Sequence, residues 1–152
     1  MMTIRQDDLS DPQARDLLAL HLAGMHASSP AGSVFALDLS GLLVPEVTVW
    51  TVWQGKQIMG IGALKVLGDA TGELKSMRTH PDHLRRGVAT RLLDHMLGQA
   101  RARGLRRLSL ETGSGPAFDP ALALYRKRGF VEGESFAAYE RSGFNRFLHL
   151  RL

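Results

Sequence analysis

Residues Glu73 to Gly104 constrain the fold more than any other part of the chain. A β-favouring run, Glu73 to Thr79, is halted by His80-Pro81-Asp82, because proline has no N–H to give a sheet ladder. Leu84-Arg85-Arg86 follows. From Gly87 onward Val88, Leu92, Leu93, Met96, Leu97 and Ala100 recur at helical spacing, with Arg, Asp, His and Gln between them, until Gly104 supplies a natural stop. A strand that turns tightly into a long one-sided helix requires a sheet with a helix packed on its face, an α/β layer.

The flanking sequence extends that layer. Asp11-Pro12 ahead of Leu17, Leu18, Leu20, Leu22 and Met25 predicts a helix capped by Asp11 or Ser10, ending near Ser28-Ser29-Pro30, with a short helical turn at Ser33 to Leu39. Val47 to Gln54 and Gln57 to Leu67 read as strands joined by Gly55-Lys56, and Gly60 and Gly62 mark a bend or a close backbone approach in the second. Arg107 to Glu111 is a strand, Pro120 to Arg128 a helix closed by Gly129, and Phe130 to Ala138 and Phe147 to Leu152 are terminal strands. No repeat or linker interrupts the 152 residues, so one domain over 1–152 is expected.

Composition narrows the function classes. At 44% hydrophobic and 22% charged residues the chain is ordinary globular material. The charge-poor stretch His21 to Leu37 holds two His, three Ser, a Pro and two Gly, too polar to span a bilayer. The absence of cysteine excludes disulfides, thiolate metal sites and a Cys nucleophile, and Met1 to Asp8 lacks the apolar run of a secretory signal, so a cytoplasmic location is expected. His80-x-x-His83, with Pro81 between and no third ligand close by, does not point to a metal.

The net charge of +4 is unevenly placed. Arginines crowd the middle (Arg78, Arg85, Arg86, Arg91, Arg101, Arg103, Arg106, Arg107), while the first 55 residues hold only Arg5 and Arg15. This suits a polyanionic ligand or a solvated helix face. A helix start carries unpaired N–H groups and roughly half a positive charge, so the Arg85-Arg86-Gly87 turn is suited to a pyrophosphate, with Gly87 and Ala89 letting the backbone approach it. A plain strand-to-helix connection is the competing reading. Neither a Gly-x-x-x-x-Gly-Lys-Ser/Thr loop nor a Gly-x-Gly-x-x-Gly turn occurs there. Aromatic residues are not interleaved with the basic run, so a nucleic-acid partner is not expected, and no membrane partner is expected either.

Leu84-Arg85-Arg86-Gly87-Val88-Ala89 resembles the Gln/Arg-x-x-Gly-x-Gly/Ala motif of the GNAT superfamily of acetyl-CoA-dependent N-acetyltransferases, with Leu84 in place of the first Gln or Arg. Ala121-Leu122-Ala123-Leu124-Tyr125-Arg126-Lys127-Arg128-Gly129-Phe130 is similar to the family's Ala-x-x-Leu-Tyr-x-x-x-Gly-Phe element. Leu74 to Thr79, Ser109 to Ser114 and the Phe136 to Leu152 tail most resemble a bacterial YsnE-like subgroup. The resemblance implies a mixed, mostly antiparallel sheet of six to seven strands with one splayed parallel pair, flanked by about four helices. It also implies acetyl-CoA as cosubstrate, and as acceptor a primary amine of a small molecule or peptide. A homodimer through the C-terminal strands is one option for assembly, and a non-catalytic acyl-CoA-binding regulatory module is the alternative function.

Carried over by position, the resemblance implies that Met77, Arg78 and Thr79 bond the pantetheine arm through their backbone. The same resemblance makes an N–H near Met77 a candidate to polarise the thioester carbonyl. Leu84, Arg85, Arg86, Gly87, Val88, Ala89 and Thr90 hold the pyrophosphate, with Tyr125 and Arg128 also at the cofactor. Tyr125 is the implied acid for the leaving thiolate, against an ordinary packed tyrosine. Glu73 and Glu111 compete as base, each with a simple strand-end role as the alternative. His26, with His21 near it, Phe35 and Trp50 are acceptor-side candidates, although alternation puts Trp50 and Trp53 on opposite strand faces, so at most one of the two need be core.

Overall fold

The computed structural model describes residues 1–152. Its elements are β1 (Thr3–Gln6), α1 (Pro12–Ser28), α2 (Leu39–Leu42), β2 (Val47–Gln54), β3 (Gln57–Gly68), β4 (Thr71–Thr79), a 3-10 turn at Pro81–His83, α3 (Val88–Ala102), β5 (Arg107–Thr112), α4 (Asp119–Lys127), β6 (Val131–Glu132) and β7 (Arg146–Arg151). The strands form one seven-stranded sheet in the order β1-β2-β3-β4-β5-β7-β6. Every neighbouring pair is antiparallel except β4 and β5. This is the mixed sheet the sequence leads one to expect.

Period-2 alternation divides the core between the two faces. Trp50, Val52, Leu64, Leu74, Leu108 and Leu110 face the buried stripe of α3 and the inner side of α4. Val49, Trp53, Ile58, Ile61 and Ala63 face Leu17 and Leu18 of α1 and Leu42 of α2. Both tryptophans are therefore core, one on each face. α1 starts where Asp11 accepts the Gln13 N–H at 2.8 Å, a cap worth about 1 kcal/mol.

Several elements differ from the sequence reading. β1 is an edge strand with mostly exposed residues and no alternation to announce it. The helical turn expected at Ser33 to Leu39 lies at Leu39–Leu42, because Asp38 is the residue that caps it, accepting the Gly41 N–H at 2.9 Å. The strand expected over Phe130 to Ala138 lasts two residues. Beyond it the chain turns at Ala137 (φ 51°) and folds Phe136 and Tyr139 back over the sheet, edge-on to each other and against Phe147. At Gly60 and Gly62 the close approach is by side chains: an added Cβ would stand 2.8 Å from Val88 Cγ1 at the first and 2.7 Å from Met77 Sδ at the second.

Candidate active site

The site grows out of an irregularity in β4. Lys75 pairs with Ala63 and Arg78 with Ile61, so β4 holds one more residue than β3 across this interval. The extra residue is accommodated at Ser76, which takes a positive φ of 58°, as in some β-bulges. The parallel pairing to β5 stops just before it, at Glu73 and Ser109, while β4 stays paired to β3 as far as Thr79 and β5 to β7 as far as Thr112. The two strands therefore part, leaving the inner edge of β4 from Leu74 to Thr79 without a strand partner on β5. Two buried side-chain oxygens at this parting, Ser76 Oγ and Glu111 Oε2, find no hydrogen-bond partner within the protein, an uncommon state for buried polar atoms.

Past Thr79 the chain makes the 3-10 turn and a loop in which Arg85 (φ 61°) and Gly87 (φ 80°) both have positive φ, a backbone turn of the kind found in anion-binding loops. Leu84 is 57% exposed, and Arg85, Arg86 and Gly87 are exposed beside it. Gly87 caps α3 with no side-chain bond and no acidic residue occupies the first turn, so the N–H groups of Val88, Ala89 and Thr90 meet neither a cap nor a competing carboxylate. Val88 is buried and fixes this start against the sheet.

On the α1 side of the parting lies a charged cluster. Glu73, 3% exposed, accepts bonds from Lys75 Nζ at 3.0 Å and Tyr139 Oη at 2.5 Å, and Lys75 also reaches Tyr139 Oη at 2.6 Å. Burial first, then the Glu73 charge, push the Tyr139 phenol far up, so it remains a donor. Burial raises Glu111 to about 7, with Glu73 adding to the rise while Lys75 opposes it. Phe35, 41% exposed, meets Tyr139 edge-on at 5.4 Å, so the loop after α1 and the C-terminal tail come together over this cluster.

The remaining sequence-predicted residues separate. Tyr125 is buried on α4 against Phe130, and burial holds its phenol well above the ordinary range. Arg128 is engaged by Asp94, at 2.7 and 3.1 Å. His26 is exposed in the last turn of α1. Trp50 is 2% exposed under α3 with His95 and Arg103 against it, because alternation sends it away from the α1 face; it belongs to the core and lines no cleft there. Sequence reasoning did not single out Ser76, Lys75 or Tyr139. A bulge and a folded-back tail are tertiary facts with no local signal.

A parallel pair forced open beside an uncapped helix start defines a class of protein that can admit an extended, diphosphate-bearing carrier into the sheet. The chain belongs to the acetyltransferase (GNAT) family, whose model matches residues 14–130. It is 51% identical over its whole length, and 96% of the relative's, to the uncharacterized N-acetyltransferase YedL of Escherichia coli K12. It is 48% identical over 91% of both chains to the uncharacterized N-acetyltransferase YsnE of Bacillus subtilis 168. Among solved structures, the PaiA N-acetyltransferase of Thermoplasma acidophilum in complex with coenzyme A has the same fold, with a TM-score of 0.78 at 13% identity over 100% of this chain and 99% of that one.

Proposed function

We propose that the protein is an acetyl-CoA-dependent N-acetyltransferase acting on a primary amine by direct attack on the thioester. The observation that carries this reading is the parting of β4 from β5 at Glu73 and Ser109, with unpartnered Ser76 and Glu111 oxygens at its apex. Membership of the acetyltransferase family and the coenzyme A held by the Thermoplasma relative support the cosubstrate.

The residues present fit that cosubstrate. The inner edge of β4 from Met77 to Thr79 offers backbone groups to an amide-bearing arm, and the loop from Arg85 to Thr90 offers the uncapped N–H groups of a helix start and two arginines to a diphosphate. Acetyl-CoA supplies the acyl group: the amine nitrogen bonds to the thioester carbon, the carbon–sulfur bond breaks, and CoA leaves as a thiol. An acceptor must first lose the proton of its ammonium form. Glu111, held near 7 by burial, suits that transfer at neutral pH, whereas Glu73 is engaged by Lys75 and Tyr139. Tyr125, placed as the acid by its match to the family motif, keeps its proton because it is buried, and that raised proton affinity suits it to donate a hydrogen bond to the departing sulfur.

The test is thiol release from acetyl-CoA over a panel of primary amines, with acetylation of the amine confirmed by mass spectrometry. Turnover is expected, and Tyr125→Phe should lower kcat about hundredfold. Stabilisation by CoA with no transfer to any acceptor would instead favour the non-catalytic acyl-CoA-binding module.

A further inference from the structure

Arg78 is the one residue of the opened strand whose charge has no answer in the protein. Its guanidinium is half-buried on the α1 face, and its hydrogen bonds both go to His21: Nε donates to Nδ1 at 3.0 Å and Nη2 to the carbonyl at 3.4 Å. Burial alone lowers its pKa, with no carboxylate acting on it. The molecule nevertheless makes room for this cation. Gly24 sits inside α1, where glycine is disfavoured relative to alanine. A Cβ there would stand 3.0 Å from Nη2 and 3.4 Å from Nη1 of Arg78. His21 is buried as a neutral acceptor that turns the guanidinium and adds no counter-charge. A desolvated cation seated in a slot and oriented by a neutral partner is arranged to meet an anion from outside.

We infer that Arg78 receives an anionic group of the acceptor, so that the amine substrate is an amino carboxylate such as a free amino acid; this rests on the acetyltransferase reading above. The spacing fits. Arg78 and Lys75 pair with Ile61 and Ala63, two residues apart on one face, which puts them about 7 Å apart along the sheet. The Lys75 charge in turn bears on Glu111, and alternation from Leu108 and Leu110, which face α3, sends Glu111 to the α1 face with Lys75 and Arg78. Glu111 thus meets the amine end of a short ligand and Arg78 its carboxylate. A phosphate of the cosubstrate is the other source of an anion. Arg78 faces α1, however, whereas α3, whose first turn serves the diphosphate, packs on the opposite face.

The experiment compares the twenty L-amino acids with their amides as acceptors, in the wild type and in Arg78→Gln. A charge-assisted hydrogen bond predicts that the wild type prefers the best acid over its amide by about tenfold or more in kcat/KM, mainly through KM, and that Arg78→Gln brings the ratio close to one. Amides accepted as well as acids, or a ratio kept by Arg78→Gln, overturn the inference. So does an equal loss of CoA affinity in the variant, which assigns the guanidinium to the cosubstrate's phosphates. If no amine is acetylated, the function reading fails by itself. Calorimetric binding of N-acetyl amino acids, against their N-acetyl amides, to the CoA-loaded protein then decides the matter: Arg78-dependent preference for the acid supports the inference, and its absence overturns it. Should Arg78→Gln fold poorly, Gly24→Ala favours the helix while crowding the guanidinium tip by a few tenths of an ångström, and is expected to raise KM for the acid only.

Discussion

Glu111 combines three properties that a surface carboxylate at a strand end does not share. One oxygen is buried without a partner, the strand beside it has turned away, and burial has moved its proton affinity to about 7. Glu73, on the neighbouring strand opposite Ser109, is buried more deeply than Glu111 but is consumed by Lys75 and Tyr139. The distinction predicts a pH profile. With Glu111 as base, activity rises with pH through about 7 as the carboxylate ionises, and Glu111→Gln removes that limb while lowering kcat/KM about hundredfold. A variant that keeps the limb near 7 would move the base elsewhere. The pairing of Lys75 with Glu73 also bears on Tyr139, whose phenol stays protonated beside the carboxylate it donates to. That bond anchors the tail to β4, and Phe35 rests on the anchored ring.

The element that carries the cosubstrate reading is the start of α3, and its stability does not come from its terminus. It has neither a side-chain cap nor a first-turn acid, and it is held by Val88, Leu92, Leu93, Met96, Leu97 and Ala100 packed on the sheet. Stability and anion affinity are therefore separable at this terminus. Ala89→Asp puts a carboxylate in the first turn, which favours the isolated helix by about 0.3–1 kcal/mol yet repels a diphosphate at the same amides. Thermal unfolding of the ligand-free variant should match or slightly exceed the wild type while calorimetric CoA affinity falls about tenfold or more; unchanged affinity would remove this helix start from the site. The same element was the most legible part of the sequence, because Pro81, Gly87, the apolar stripe and Gly104 are local signals. The motif around Gly87 and the one around Tyr125 likewise located the family. Other features needed a partner to exist at all: β1 is defined by pairing with β2, the Ser76 bulge by its register against Gly62, and the roles of Arg78 and Tyr139 by a helix and a tail far away in sequence. Trp50 was readable as lying opposite Trp53, but which face was core on both sides emerged only once α1 and α3 had taken theirs.

At the scale of the molecule, the sheet is clamped between two cores, and the group joining α1 to β4 is also one that titrates. His21 falls from an ordinary 6.5 to about 4, by burial first and the Arg78 charge second. Between those values the unfolded chain binds a proton that the folded one does not, so its contribution is complete above 6.5 and is lost as pH falls toward 4. Glu111 works in the opposite sense. Its folded value near 7 lies above the ordinary 4.5, so the folded chain holds the extra proton and stability is lost as pH rises from 4.5 through 7. From about 4.5 to 6.5 the two proton differences cancel, and the wild type should show nearly level stability there. Carboxylates that folding pulls down, such as Glu134 beside Arg107, act below this window. Removing either partner uncovers the other. Urea unfolding of His21→Gln, which keeps an acceptor for Arg78, should show stability falling as pH rises across the middle of the window, and Glu111→Gln should show it rising instead. Level curves in both variants would mean that neither group carries its buried, shifted state in solution, and the desolvated cleft around them would have to be open to water.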